Sequence, residues 1–109
     1  MILKLEDKLM KRIAIVGALS EPVRLRAILL LAGWKGIKVP VKTVAQALGV
    51  RHSVASHHLI ILLNSGLVEC ESIGNSRLYE LRYEWLEELD EFMKELKVHF
   101  SEGVTNETR

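Results

Sequence analysis

The chain has 109 residues, about the length of one domain with a single modest core. Apolar residues make up 49% and charged residues 27%, the balance of an ordered globular protein rather than a disordered one. Apolar runs such as residues 27–33 and 59–63 are far shorter than the roughly 20 residues of a membrane span. The N-terminus also has no secretory signal pattern, so we expect a cytoplasmic protein that does not enter a membrane.

The net charge of +1 conceals an uneven distribution along the chain. Residues 1–82 carry 12 basic and 6 acidic side chains, a net charge of +6, whereas residues 83–109 carry 3 basic and 8 acidic ones, a net charge of −5. A basic body with an acidic end is expected if one face meets a polyanion, although two differently solvated surfaces would give the same pattern. The single cysteine, Cys70, rules out an internal disulfide and fits a reducing cytosol.

Apolar residues at helical spacing predict two helices at the start of the chain. The first covers residues 5–19, and the second begins at Ser20-Glu21-Pro22, with Ser20 as the expected cap, and ends at Gly33. The expected apolar stripes are Leu5, Leu9, Ile13 and Val16 in the first helix and Leu25, Ile28, Leu29 and Ala32 in the second.

Two shorter helices follow, joined by a tight turn that contains glycine. Residues 37–39 predict a very short strand, and Pro40 can open a helix over Val41–Leu48 that Gly49 ends. After three further residues a second helix is predicted over Ser53–Asn64. Two helices connected in this way are the signature of a helix-turn-helix.

Alternating residues then predict a β-hairpin over residues 67–72 and 77–82, with Gly74-Asn75-Ser76 as its turn. A long acidic helix from Tyr83 to about Ser101 follows, and residues 103–109 are expected to be a disordered tail. The predicted fold of residues 1–102 is a single, mostly helical winged helix-turn-helix domain with a small β-hairpin (α+β). Along the last helix, apolar residues form a seam that favours a partner helix: Leu86, Leu89, Met93, Leu96 and Phe100.

Five segments, in order, carry a resemblance to a known family. They are Ala18–Leu25 (ALSEPVRL), Val44–Val50 (VAQALGV), Ala55–Leu59 (ASHHL) followed by Leu62, Ser65–Val68 (SGLV), and Gly74 through Leu81. Over about residues 14–82 they resemble the arsenical-resistance-repressor (ArsR) family of winged helix-turn-helix regulators. The resemblance implies a transcriptional regulator that binds double-stranded DNA, most simply a repressor. No nucleophile–base pair or phosphate-binding glycine loop appears in the sequence, so we expect no enzyme activity.

The helix over residues 53–64 is the expected recognition helix. Ala55, Leu59 and Leu62 share one face, which should pack on the body, while the opposite face should enter the major groove by its N-terminal turns. His58 is expected to be a partly buried structural residue. The wing and the first motif helix should add phosphate contacts. The candidate DNA-binding residues are Lys42, Arg51, His52, Ser53, Ser56, His57, Asn75 and Arg77.

The family layout implies a homodimer formed by the first and last helices, which would place two recognition helices on an inverted-repeat operator. The candidate dimerisation residues are Leu5, Leu9, Ile13, Leu86, Leu89, Met93, Leu96 and Phe100.

Metal binding and redox sensing are the less favoured alternatives. Many relatives sense metals through paired cysteines, but Pro40 and Lys42 stand where those cysteines would be. A second type of site would need His99 and Glu102 with Glu88 or Glu91 of a symmetry mate, and zinc usually requires more nitrogen or sulfur than that. Cys70 is expected to be a small half-buried side chain rather than an oxidant sensor. We therefore predict no metal site and no cofactor.

A different class of function is left open by the second half of the recognition helix. Ile60, Ile61 and Leu63 make it apolar nearly all round. This surface could cover neighbouring helices, or it could serve a winged-helix protein-interaction module that does not bind DNA.

Overall fold

The computed structural model describes residues 2–103, with side chains from Leu5 onward. Within these residues the chain forms five helices and a three-stranded antiparallel sheet. The helices are α1 (Ile2–Leu19), α2 (Pro22–Gly33), α3 (Val41–Leu48), α4 (His52–Asn64) and α5 (Glu84–Glu102), and the strands are β1 (Val39–Pro40), β2 (Val68–Ile73) and β3 (Ser76–Leu81). The predicted fold is confirmed. Of the predicted tail, residues 104–109 lie outside the described residues.

The helix-turn-helix pair lies where the sequence predicts it. Four apolar residues of α3 (Val41, Val44, Ala45 and Leu48) are buried. The helix ends at Gly49, whose φ of 69° lies in the left-handed region that favours glycine. α4 begins one residue earlier than predicted, at His52, with Arg51 at the cap position. Ser53 is therefore inside the helix and does not cap it.

The apolar stripe predicted for α2 is wrong at three of its four positions. Only Ile28 is buried, together with Ala27 and Leu31, whereas Leu25 and Leu29 are 45% and 67% exposed and Ala32 is also exposed. Because residues 27–32 are apolar all round the helix, the spacing could not show which side faces the core.

The cap of α2 also differs from the prediction. Glu21 is the N-cap, and its carboxylate accepts a hydrogen bond of 2.9 Å from the backbone N–H of Arg24. Ser20 instead donates to the carbonyl of Gly17 at the end of α1, over 2.7 Å. The hydrogen bond from the backbone N–H of Arg24 is the main cause that lowers the pKa of Glu21 below its ordinary value.

The sheet has β3 in the middle, with β1 and β2 on either side, all antiparallel. Strand β1 is displaced from its predicted position, because Val39 pairs with Tyr79 while Ile37 lies outside the strand and is exposed. The wing turns at Gly74 and Asn75, with Gly74 at a φ of 60°, and Ser76 already belongs to β3.

The core lies between α1, α2, the helix-turn-helix and the base of the sheet. Trp85, in the first turn of α5, is 4% exposed, and its indole N–H donates to the carbonyl of Leu67 over 3.1 Å. The backbone N–H of Arg82 donates to the same carbonyl over 2.9 Å. The start of α5 is thereby fixed to the segment between α4 and the wing, an anchor that the sequence did not indicate.

The predicted apolar seam of α5 divides into two parts. Leu86 and Leu89 are half-buried and pack against the core of their own chain, and their contact with a partner helix stays a prediction. Met93, Leu96 and Phe100 are exposed. None of the described helices is both long enough and apolar enough to cross a membrane.

Candidate nucleic-acid interface

The start of α4 presents a polar end to solvent. Arg51, His52, Ser53 and His57 are exposed, and Ser56 is half-buried. No side chain caps the helix at Arg51. The first N–H groups of a helix have no partner within it, and with the helix dipole they favour an anion such as phosphate.

The opposite face of α4 packs into the core as predicted. Ala55 is 1% exposed, and Leu59 and Leu62 are fully buried. Because these three residues fix the rotation of the helix, the side chains at positions 53 and 57 are directed away from the body of the protein.

His58 is a partly buried structural residue, in agreement with the prediction. Its side chain is 14% exposed. Its Nδ1 atom lies 3.2 Å from Nη1 of Arg24 and 3.7 Å from a carboxylate oxygen of Glu21. The recognition helix is thus joined to the start of α2 by a polar contact as well as by the core.

The second half of α4 exposes less apolar surface than its sequence suggests. Ile60 is 37% exposed, Ile61 is half-buried, and Leu63 is half-buried against the core. Of the three, only Leu63 is part of the packing against the core, and Ile60 is the one large apolar side chain of α4 that is exposed.

Arg77 in the wing is held against the face of the sheet. Its Nε atom donates to the Sγ atom of Cys70 over 3.4 Å, and its guanidinium carbon lies 5.8 Å from the centre of the Tyr79 ring. Cys70 is half-buried, as expected. Asn75 at the tip of the wing and Lys42 in the first turn of α3 are exposed. The contacts of Arg77 were not predicted, because they depend on the register that pairs Cys70 with Tyr79.

The acidic helix α5 is paired with the basic side of α1. Arg12 is 8% exposed, and it binds Glu95 through two hydrogen bonds of 2.9 Å and Glu88 through one of 2.7 Å. Lys8 binds Glu91 over 2.9 Å. The hydrogen bonds from Arg12 lower the pKa of Glu95 to about 2.

These ion pairs engage the carboxylates that were weighed as metal ligands. Glu88 and Glu91 are bound to Arg12 and Lys8 of the same chain. Within residues 5–103, no group of three or more His, Cys, Asp and Glu side chains is placed to hold a metal ion.

Exposed apolar side chains lie on α1 and on the second half of α5. The two helices are in contact within the chain, yet each leaves large apolar side chains in solvent. We name this set the α1–α5 apolar face; it comprises Leu5, Leu9, Met10, Ile13, Val16, Met93, Leu96 and Phe100, each at least 42% exposed.

Comparison with known proteins agrees with this architecture. The HTH-type transcriptional regulator NmtR of Mycobacterium tuberculosis is 38% identical over 64 residues, which cover 59% of this chain and 51% of that protein. The chain thus spans about half the length of this curated relative. No family model matches the sequence.

Solved structures extend the likeness to most of the chain. A homodimeric winged helix-turn-helix DNA-binding domain of Mb0332 from Mycobacterium bovis, described as a possible ArsR-family regulator, has a TM-score of 0.62 and 26% identity over 92% of this chain and 87% of that one. The ArsR-family regulator RHA00566 has a TM-score of 0.75 and 18% identity over 84% and 97%.

The fold and the helix-turn-helix are those of winged-helix transcriptional regulators, the class of protein to which this chain is similar. Within that class the chain is similar to ArsR-family regulators, in agreement with the resemblance carried by its sequence motifs.

Proposed function

We propose that the chain is a sequence-specific DNA-binding transcriptional regulator that acts as a homodimeric repressor. The observation that carries the proposal is the exposed polar start of α4, directed outward by the burial of Ala55, Leu59 and Leu62. A helix presented in this way is suited to the major groove, where recognition helices act by their first turns.

The side chains at this end are suited to reading base edges. The guanidinium of Arg51 can donate two hydrogen bonds to a guanine, and His57 can donate one to guanine or phosphate. Ser53 and Ser56 can bond to bases or phosphates. The backbone N–H groups of His52 and its neighbours can hold a phosphate at the start of the helix.

Phosphate contacts would supply affinity from the flanking elements. Lys42 in α3 and Asn75 and Arg77 in the wing are exposed. Such contacts fix the register of the protein on the duplex without reading its sequence. The wing would lie along the backbone or in the minor groove.

The α1–α5 apolar face supports a homodimer. It provides large apolar side chains on two neighbouring helices, and the relative from Mycobacterium bovis is described as homodimeric. A two-fold dimer would place two copies of α4 on two half-sites of an inverted repeat. Occupation of a promoter by such a dimer would repress transcription.

Selection of genomic DNA fragments by the purified protein tests the proposal. We expect recovery of an inverted-repeat operator whose affinity falls by about 10³-fold or more between about 50 and 200 mM salt, since several phosphates are neutralised. Recovery of no fragment would contradict DNA binding and favour a protein-interaction module instead.

A double variant tests the assigned contacts on the selected operator. Arg51→Ala with His57→Ala removes two base-reading groups, each worth about 1–3 kcal/mol of discrimination, so sequence preference should be lost. The matched control, Lys97→Ala with His99→Ala, removes one basic and one histidine side chain from the exposed side of α5 and should leave affinity unchanged. Unchanged preference in the first variant would refute the contact assignment.

A further inference from the structure

Arg24 joins three helices of the protein through one side chain. Its Nε atom donates to the carbonyl of Ala18 near the end of α1, over 2.7 Å, and its Nη1 atom lies 3.2 Å from Nδ1 of His58 in α4. The residue itself lies in the first turn of α2. The helix that carries the proposed base-reading residues is thereby connected to the helix that carries the α1–α5 apolar face.

The contact with His58 requires a particular protonation state. A guanidinium can only donate hydrogen bonds, so Nδ1 of His58 must be the unprotonated acceptor of the imidazole ring. When both ring nitrogens carry protons, Nδ1 becomes a donor and two positive charges face each other at 3.2 Å. The carboxylate of Glu21, 3.7 Å from Nδ1, then becomes the available partner.

The groups around His58 favour a change of the hydrogen-bond partner of Nδ1 from Arg24 to Glu21. From α2 and its cap, Arg24 and Glu21 face the ring, and from α4 itself the ring of His57 lies 5.3 Å away, centre to centre. Glu21 already accepts the backbone N–H of Arg24, so its carboxylate is held at this position. Histidine is also the side chain whose charge ordinarily changes between about pH 5 and 8.

We propose that Arg24 and neutral His58 position the recognition helix α4 relative to α1, and that protonation of His58 moves its Nδ1 from Arg24 to Glu21 and weakens operator binding. This proposal rests on the proposed DNA-binding function. It makes His58 a positioning residue that acts on DNA only through the placement of α4.

The test compares pH profiles of operator affinity, measured by fluorescence anisotropy at constant ionic strength with the fragment selected by the wild-type protein. His58→Asn keeps an acceptor oxygen close to the place of Nδ1 but does not titrate, whereas His58→Ala removes the acceptor. At about pH 8 we expect His58→Asn to bind within about twofold of wild type and His58→Ala about tenfold more weakly, the loss of one charged hydrogen bond.

Between about pH 8 and pH 5.5 the wild type should weaken about fivefold relative to His58→Asn, because only the wild type can protonate at this position. The other three histidines are common to both proteins, so the ratio reports on position 58. His99→Asn, on the exposed side of α5, is the control and should keep the wild-type profile. Circular dichroism at each pH verifies that every variant is folded.

Two results would overturn the proposal. A constant ratio between wild type and His58→Asn across the pH range would exclude the proton-linked exchange. Wild-type affinity of His58→Ala at about pH 8 would exclude the positioning role. Both differ from failure of the proposed function itself, in which wild type and all variants would fail to bind any selected fragment.

Discussion

Arg12 is buried like a core residue, yet its guanidinium forms ion pairs with carboxylates of α5. It is 8% exposed, it binds Glu88 and Glu95, and its guanidinium carbon lies 5.0 Å from the centre of the Phe92 ring. A guanidinium in this setting stays charged and is satisfied by fixed carboxylates, a geometry that its planar fork of donors supports. The packing of α1 on α5 therefore depends on charge as well as on apolar contact.

The pair between Arg12 and Glu95 should make stability depend on pH in the acidic range. The pKa of Glu95 is lowered from 4.5 to about 2 in the folded protein, chiefly by the hydrogen bonds from Arg12. The ionised carboxylate thus stabilises the fold, in full above about pH 4.5, and this contribution is lost as the pH falls through about 2. Glu95→Gln should lower the urea midpoint at neutral pH and reduce the loss of stability between these two pH values.

Glu87→Gln is the matched control for that experiment, because Glu87 is an exposed residue of the same helix. It should leave the acid profile close to that of wild type. If Glu95→Gln and wild type lost stability in parallel from about pH 4.5 downward, the assigned pair would not stabilise the fold.

At the scale of elements, the turn between α3 and α4 sets the position of the recognition helix. Gly49 has a φ of 69°, and its N–H bonds to carbonyls in the last turn of α3. A Cβ atom at this position would meet no heavy atom within 4 Å, so the backbone angle alone determines the cost of a substitution. Gly33, the last residue of α2, has equally open surroundings without a positive φ.

These two glycines make a matched pair of alanine substitutions. Gly49→Ala should lower the free energy of unfolding by about 1–2 kcal/mol, because a side chain disfavours the left-handed region. Gly33→Ala should be neutral or raise it by up to about 1 kcal/mol, since alanine restricts the unfolded chain and suits a helix. Urea unfolding at one protein concentration measures both, and equal effects would contradict the role assigned to the backbone angle.

The success of sequence prediction differed between helices for physical reasons. α3 was predicted correctly in both bounds because proline precedes it and glycine ends it. α2 was predicted correctly in extent but not in orientation, since it is apolar on all sides and only packing selects the face. The two-residue strand β1 was misplaced because its position depends on pairing with β3.

In the candidate site, too, the contacts that depend on tertiary packing could not be predicted from the sequence. The outward face of α4 could be predicted because Ala55, Leu59 and Leu62 are spaced to pack on one side. The attachment of Arg24 to His58 joins residues 34 positions apart, and no local pattern indicates it. The same holds for the contact between Arg77 and Cys70, which requires the hairpin register.

In the molecule as a whole, the ion pairs between α1 and α5 involve other side chains than the exposed apolar residues of these two helices. The ion pairs of Lys8 and Arg12 neutralise part of the acidic helix α5 from within the chain. The α1–α5 apolar face, by contrast, consists only of apolar side chains that are exposed to solvent. Large exposed apolar side chains on two neighbouring helices are expected at an interface, and a second copy of the chain is the partner that the proposed inverted-repeat operator requires.

A pair of charged substitutions should separate the proposed dimer into monomers. Leu9→Asp with Leu96→Asp changes one exposed leucine on each helix of the α1–α5 apolar face, at 55% and 46% exposure. Burying unpaired carboxylates in an apolar interface costs several kcal/mol, so the dimer dissociation constant should rise about a hundredfold or more. Sedimentation equilibrium measures this constant directly.

The control is Ile37→Asp, which places a carboxylate at an equally exposed apolar residue, 56% exposed, outside the α1–α5 apolar face. It should remain dimeric. The wild type and the control should also show an unfolding midpoint that rises with protein concentration, since association stabilises the folded state, while the double variant should not. A wild type that sediments as a monomer, or a double variant that stays dimeric, would show that this face is not the interface and that the recognition helices must be paired in another way.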